Sequence, residues 1–184
     1  GMGAAREAAF ATYAEPALFL LIGAGAVATG HVSFAGLIGH LHETGRFAWV
    51  APPAVLALFI LLQAEAARVP VDDPLTHLEL TMIHEVMILD HSGPELAAMQ
   101  YASAIKMTIY AGLIAALLNP IDAAGNPLGA IACAWSIIAV VAIAVGCVES
   151  LVARLRMRWV PPYLWMASGA AVLCMAAIGW GGSR

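Results

Sequence analysis

Charge is what this 184-residue sequence has least of. Asp, Glu, Lys and Arg make up 11% of it, where a soluble domain carries about 25%. That shortage excludes an ordinary water-facing surface. Basic residues are scarcer still: eight Lys and Arg stand against twelve Asp and Glu, for a net charge of -4. No cationic face remains to hold nucleic acid. Cys133, Cys147 and Cys174 stand singly in apolar stretches, without C-x-x-C spacing. They supply neither a disulfide framework nor the ligands of an iron–sulfur cluster. Internal repeats and low-complexity tracts are lacking too. No short apolar segment follows a basic start, so a cleaved leader is not expected, and the opening Gly1-Met2-Gly3 reads either as an extra leading glycine or as internal to a longer protein.

What the sequence has instead is apolar length. Hydrophobic residues make up 62% of it and the mean hydropathy is +0.87. Five stretches, 14–30, 47–64, 98–118, 129–152 and 162–180, come close to or exceed the ~18–20 residues that cross a bilayer. The expected fold is all-α: a polytopic integral membrane helical bundle of five transmembrane helices in one membrane domain, 1–184. The first stretch opens on Glu15 and Pro16 and can run on through Phe34 and Leu37. Pro52 and Pro53 lie inside the second, where neighbouring helices can satisfy the carbonyls they free.

Orientation follows from the basic residues. Arg6, Arg68, Arg154, Arg156 and Arg158, with Lys106, fall on one side, and Arg46 and Arg184 on the other. Six against two places the 65–97 connection and the turn at 154–158 in the cytoplasm, and five crossings then leave the C-terminus outside. Trp49, Trp135 and Trp180 fall near the outer interface, Trp159 and Trp165 near the inner one. The segment 119–127, rich in Pro, Gly and Asn, reads as an outer turn.

Segment 65–97 concentrates the polar chemistry. Asp73-Pro74 is a helix start, because Asp accepts from free N–H groups and proline suits the first helical position. Leu75, Leu78, Met82, Val86 and Leu89 recur at three- and four-residue steps, which predicts an amphipathic cytoplasmic helix over 74–89. Ser92-Gly93-Pro94 stops it. His77, His84 and His91 are spaced by seven, about 10 Å apart along a helix, too far for neighbours to share one metal ion. They suit a polar, partner-docking or proton-carrying face. Glu65, Arg68, Asp72, Glu79, Glu85 and Asp90 can be solvated loop charges. Glu65, however, closes an apolar run, and Glu149 follows about twenty apolar residues. Glu15 opens one. An ionised acid at mid-membrane costs ~2.5–3.5 kcal/mol, so such acids either reach the interface, pair with Arg68, Arg154 or Lys106, or carry protons.

With those residues in place, Glu65-x-x-Arg68-x-Pro70-x-Asp72 resembles the E-x-x-R-x-P-F-D signature of the quinone-site membrane subunit (subunit 1) of complex I, NADH:quinone oxidoreductase. The continuation from Val69 through Asp72-Asp73-Pro74 to Ile83-His84-Glu85, ending in Ser92-Gly93, resembles more closely the counterpart in formate hydrogenlyase, hydrogenase-4 and related membrane-bound [NiFe] hydrogenases. The opening residues and Arg156-x-Arg158 fit the same protein family, so the chain resembles its C-terminal five-helix portion. The quinone-reactive branch carries carboxylates where Leu75 and His77 stand here, Phe where Val71 stands, and Glu-Tyr where Asp90-His91 stands. Those departures argue against a quinone site and for the hydrogenase-type branch.

The resemblance implies a subunit without a redox centre of its own, joining a peripheral electron-transfer arm to a membrane arm and coupling electron flow to proton or sodium translocation. It implies iron–sulfur partners with [4Fe-4S] clusters, a hydrogenase large-subunit-like partner with a [NiFe] site, antiporter-like membrane subunits, and a bacterial or archaeal inner membrane. Carried over by position, the proton path is Glu15, Glu65, Arg68, Asp72, Glu79 and Glu149, joined by Glu85 and Asp90, with Arg156, Arg158, His77 and His84 as docking residues. Two other readings stand beside it: a quinone-site subunit of NADH:quinone oxidoreductase, and a passive membrane anchor.

Overall fold

The computed structural model describes residues 2–43, 47–72, 91–121 and 124–180, and its regular structure there is entirely helical. In chain order the helices are α1 (Met2–Thr29), α2 (Phe34–Glu43), α3 (Phe47–Glu65), α4 (Pro94–Leu118) and α5 (Pro127–Leu151), then a 3-10 turn, Met157–Trp159, leading into α6 (Val160–Trp180). Among the described residues, five helices are long and apolar enough to cross a membrane, all but the ten-residue α2. At ~1.5 Å per residue the 19-residue α3 is about 28 Å long, the thickness of a bilayer's hydrocarbon core. The all-α membrane bundle is therefore what this sequence builds.

Two helix starts lie before the expected ones. α1 starts at Met2, well before residue 14, because a helix continues past the bilayer edge once Arg6 and Glu7 reach water or partners. It ends at Thr29, as the stretch 14–30 implies, and does not run on through Phe34 and Leu37. Gly30 takes φ 71°, Ser33 then accepts from the Gly36 N–H at 3.1 Å, and α2 begins afresh instead of prolonging the span. α4 starts at Pro94, not near residue 98. Gly93 at φ 62° and Pro94 in the first turn begin that helix, so 94–97 belong to it and not to the loop. The expected amphipathic helix over 74–89 lies outside the described residues.

α3 is the hub. Leu58, Ile60, Leu61 and Leu62 are buried on all its sides, against α1, α4 and α6. Alanines let those helices approach closely: Ala14 and Ala17 on α1, Ala54 and Ala57 on α3, and Ala167 and Ala171 on α6 are essentially inaccessible. Small residues at contact faces are how membrane helices gain van der Waals contact, since lipid is as apolar as leucine. α5 sits outermost, packed on α4, with Ile131, Trp135, Val140 and Ile143 exposed. The α4–α5 hairpin closes at Asn119, which donates to the Ala130 carbonyl (2.9 Å), and at Asn126, which caps α5.

Direction follows from end contacts. Gln63, near the end of α3, meets Tyr163 at the start of α6, while Cys174 lies near the Val50 carbonyl at the other end. α3 and α6 are therefore antiparallel, and α1 runs parallel to α6, with Tyr13 against Trp165. The beginnings of α1 and α6, the ends of α3 and α5, and the stretch of α4 around Ser103 thus gather at one end of the bundle.

Candidate functional site

The charges of the membrane helices lie at that end. In the five spanning helices, no Asp, Glu, Lys, Arg or His occurs beyond Glu15 in α1, before Glu65 in α3, beyond Lys106 in α4, before Glu149 in α5, or in α6. In the opposite half of the bundle the spanning helices carry no ionisable group, and the His40, His42 and Glu43 found there belong to the short α2. At the charged end, the chain after α3 makes a tight, heavily bonded turn.

That turn begins as a helix C-terminus. The Arg68 N–H donates to the Gln63 carbonyl (2.8 Å) and the Ala67 N–H to the Ala64 carbonyl (3.4 Å), the paired bonds of a Schellman motif. Its left-handed position is Ala67, at φ 51°, where glycine is usual. Ser103 of α4 donates to the Ala66 carbonyl at 2.9 Å. The Arg68 carbonyl then accepts from the Val71 and Asp72 N–H groups, and the Pro70 carbonyl from the Leu155 N–H at 2.9 Å. A non-glycine residue in this conformation costs ~1–2 kcal/mol, part of which glycine's larger unfolded-state entropy takes back. Ala67→Gly is expected to stabilise the purified protein by about 0.5–1 kcal/mol. Chemical unfolding in detergent checks it, and an unchanged or lower midpoint refutes it.

Ion pairs brace the same turn from both sides. Asp72 is buried and pairs with Arg154 at 2.9 Å. Arg68 reaches Glu149, at the end of α5, at 3.4 Å. The turn is thus joined to the 152–156 connection by one ion pair and one backbone bond, and to the end of α5 by a second ion pair. Of the three basic partners open to Glu149 in the sequence, the structure selects Arg68.

Beside the turn lies a cavity of about 150 Å³ between α1, α3 and α4. Glu7, Glu15, Glu65, Asp72 and Lys106 line it, with Phe10 and Val71 among its apolar walls. Lys106 stands between Glu65, at 3.1 Å, and Glu7, at 3.7 Å. Glu15 also borders a groove on the outer face of α1 with Thr12, Pro16 and Phe19. Pro16, lacking an N–H, cannot bond the Thr12 carbonyl, so a backbone acceptor and a carboxylate share that face. Glu15 lies eight residues beyond Glu7, about 12 Å deeper along α1. Chemically, this is a small chamber with apolar walls whose polar groups are predominantly acidic, four carboxylates and one ammonium, with Glu15 the deepest along α1.

Of the residues singled out from the sequence, the structure brings Glu15, Glu65 and Asp72 to the cavity and places Arg68 and Glu149 in the brace beside it. Arg156 and Arg158 are exposed on the stretch leading into α6. Glu79, Glu85, Asp90, His77 and His84 lie outside the described residues. His91, which is described, pairs with Glu95 at 2.8 Å. Sequence reasoning did not single out Glu7 or Lys106 as site residues. A signal for Lys106 existed, because a lone cation inside an apolar span is itself a functional marker. It also passed over Gln63, fully buried on α3, which bonds Tyr163 through its carbonyl while its amide nitrogen has no partner.

A family model described as NADH dehydrogenase matches residues 1–179. No curated protein and no solved structure matches significantly.

Proposed function

The chain belongs to the NADH dehydrogenase family, and from that premise we propose that it is the ion-translocating membrane subunit of a complex I-like hydrogenase of the formate hydrogenlyase/hydrogenase-4 type. The observation that carries the reading is the acid-lined cavity reaching Glu15, beyond which the spanning helices carry no ionisable group. Acids that alternate between neutral and charged are what a proton path through an apolar medium requires.

The same arrangement sets the route. Beyond Glu15, Glu65 and Lys106 the spanning helices offer no Asp, Glu, Lys, Arg or His, so a proton entering here leaves sideways. Glu15 and the Thr12 carbonyl open that exit through the face of α1, towards an antiporter-like membrane subunit beside it. The charged end faces the cytoplasm, on the excess of basic residues there, which leaves the C-terminus outside. Exposed Arg156 and Arg158, joined to Asp72 through Arg154, dock the peripheral arm and relay its charge state to the brace.

The family's name implies a nicotinamide dinucleotide, and the described site does not fit one. Small-molecule pockets are usually about 300–1,000 Å³, while this cavity is about 150 Å³ with four carboxylates that would repel a pyrophosphate. Electron carriers, [4Fe-4S] clusters and a [NiFe] site, are therefore assigned to partner subunits.

Purification of the native complex through a tag on this subunit, with partners identified by mass spectrometry, tests the proposal. A large subunit with nickel-ligating cysteines beside an iron–sulfur protein is the expected result. A NADH-oxidising module would instead make this a subunit of NADH:quinone oxidoreductase.

A further inference from the structure

Among the described residues the cavity is lined by four carboxylates and one cation, Lys106. Its amine is 3.1 Å from Glu65 of α3 and 3.7 Å from Glu7 of α1, so one ammonium is shared between two helices. The two acids differ in position. The Glu7 side chain is 34% exposed, that of Glu65 20% and that of Lys106 41%, so of the two acids Glu7 is on the water side, the mouth of the pair. A lysine is a compact charge on a flexible four-carbon stem with three donors, able to move between them without rebuilding the helix.

We propose that Lys106 is the gate of this cavity, alternating between Glu65 and Glu7 as protons pass. The proposal rests on the ion-path reading above. A proton arriving from water neutralises Glu65 and removes the charge that holds Lys106. The ammonium then moves to Glu7, and its positive charge at the mouth opposes entry of a second proton. When Glu65 hands its proton to the Glu15 carboxylate, its restored negative charge draws Lys106 back and clears the mouth. Each cycle returns Glu65, Glu7 and Lys106 to their starting charges and leaves one proton on Glu15, which must release it through the face of α1 before the next cycle. The gate therefore admits protons singly and inward.

The test uses the assembled complex in inverted membrane vesicles, energised with reduced methyl viologen or NADH, whichever the purified complex oxidises. Ions moved per electron are compared for Lys106→Met, Glu7→Gln, the double variant and Glu65→Gln. An alternating gate predicts that Lys106→Met and Glu7→Gln each lower the ratio roughly fivefold and that the double variant loses no more, because both remove the same step. A silent Glu7→Gln, or losses that multiply, overturns the gate. Glu7→Gln, at the rim, keeps the question answerable even where Lys106→Met fails to assemble. A loss in Glu65→Gln alone would reject the gate and leave the path standing, whereas no loss in Glu65→Gln would reject the path itself.

Discussion

Replacing Arg154 by alanine is expected to destabilise the protein by about 3–5 kcal/mol, the largest stability effect of any single side chain at the site. Asp72 is only 2% exposed and lies 2.9 Å from the Arg154 guanidinium. Removing the cation strips this buried carboxylate of the countercharge 2.9 Å away, at a turn where the neighbouring Val69 and Val71 are also buried. Taking away one partner of a buried pair is far more damaging than replacing both, because the desolvation of the survivor is no longer offset. The double replacement Asp72→Leu with Arg154→Leu is therefore expected to recover most of the lost stability. Abundance of the assembled complex in membranes and the unfolding midpoint in detergent both report it. An Arg154→Ala protein that unfolds like its parent would show that the pair is solvated and that the turn is held by its backbone bonds alone. Glu149 should behave differently. Its pair with Arg68 is about one-third exposed on both sides and longer, at 3.4 Å, and such pairs contribute about 0–1 kcal/mol.

The second large effect falls on function. Glu65→Gln is expected to leave assembly intact and to reduce ion translocation by roughly a hundredfold or more, the scale on which a positioned proton-transfer group acts. Glutamine has nearly the same shape and its carbonyl can still accept from Lys106, so packing at the end of α3 is retained. What it cannot do is bind and release a proton. The passive-anchor reading makes the opposite prediction: once assembled, the Gln variant would translocate normally. Ion uptake by vesicles during electron transfer separates the two, and undiminished uptake in Glu65→Gln would leave this chain a scaffold. Glu15→Gln is expected to give the same loss, since Glu15 is the deepest carboxylate in the spanning helices and the last before the α1 face.

Much of the architecture was legible because apolar length is a local property. The stretch 47–64 appears as α3 almost residue for residue, since Arg46 and Glu65 bracket an unbroken apolar run. The starts of α1 and α4 were misplaced for one shared reason. A search for bilayer-length runs stops at charge, while a helix stops where its backbone loses partners, and both helices continue past Glu7 and Glu95 respectively. The end of α1 depended on a single glycine, Gly30, whose positive φ turns the chain even though the apolar pattern runs on to Leu37. At the site, Glu65, Arg68, Asp72 and Glu149 stood out as charges at the margins of apolar runs. Their partners did not, because Arg68 and Glu149 are separated by eighty-one positions and only the fold decides that they meet.

The sequence by itself determined that this chain is a set of bilayer-spanning helices, with their ionisable groups at one end and an uncharged remainder. That follows from hydration: charge is tolerated near water or where it is partnered, and length sets what can cross. Only the tertiary structure decided which charges share a chamber, that Asp72 is buried while Glu15 opens onto two surfaces, and that Lys106 stands between Glu7 and Glu65. Ion pairing falls steeply with distance and with exposure to water, and both are properties of helices packed against one another, absent from any one of them alone.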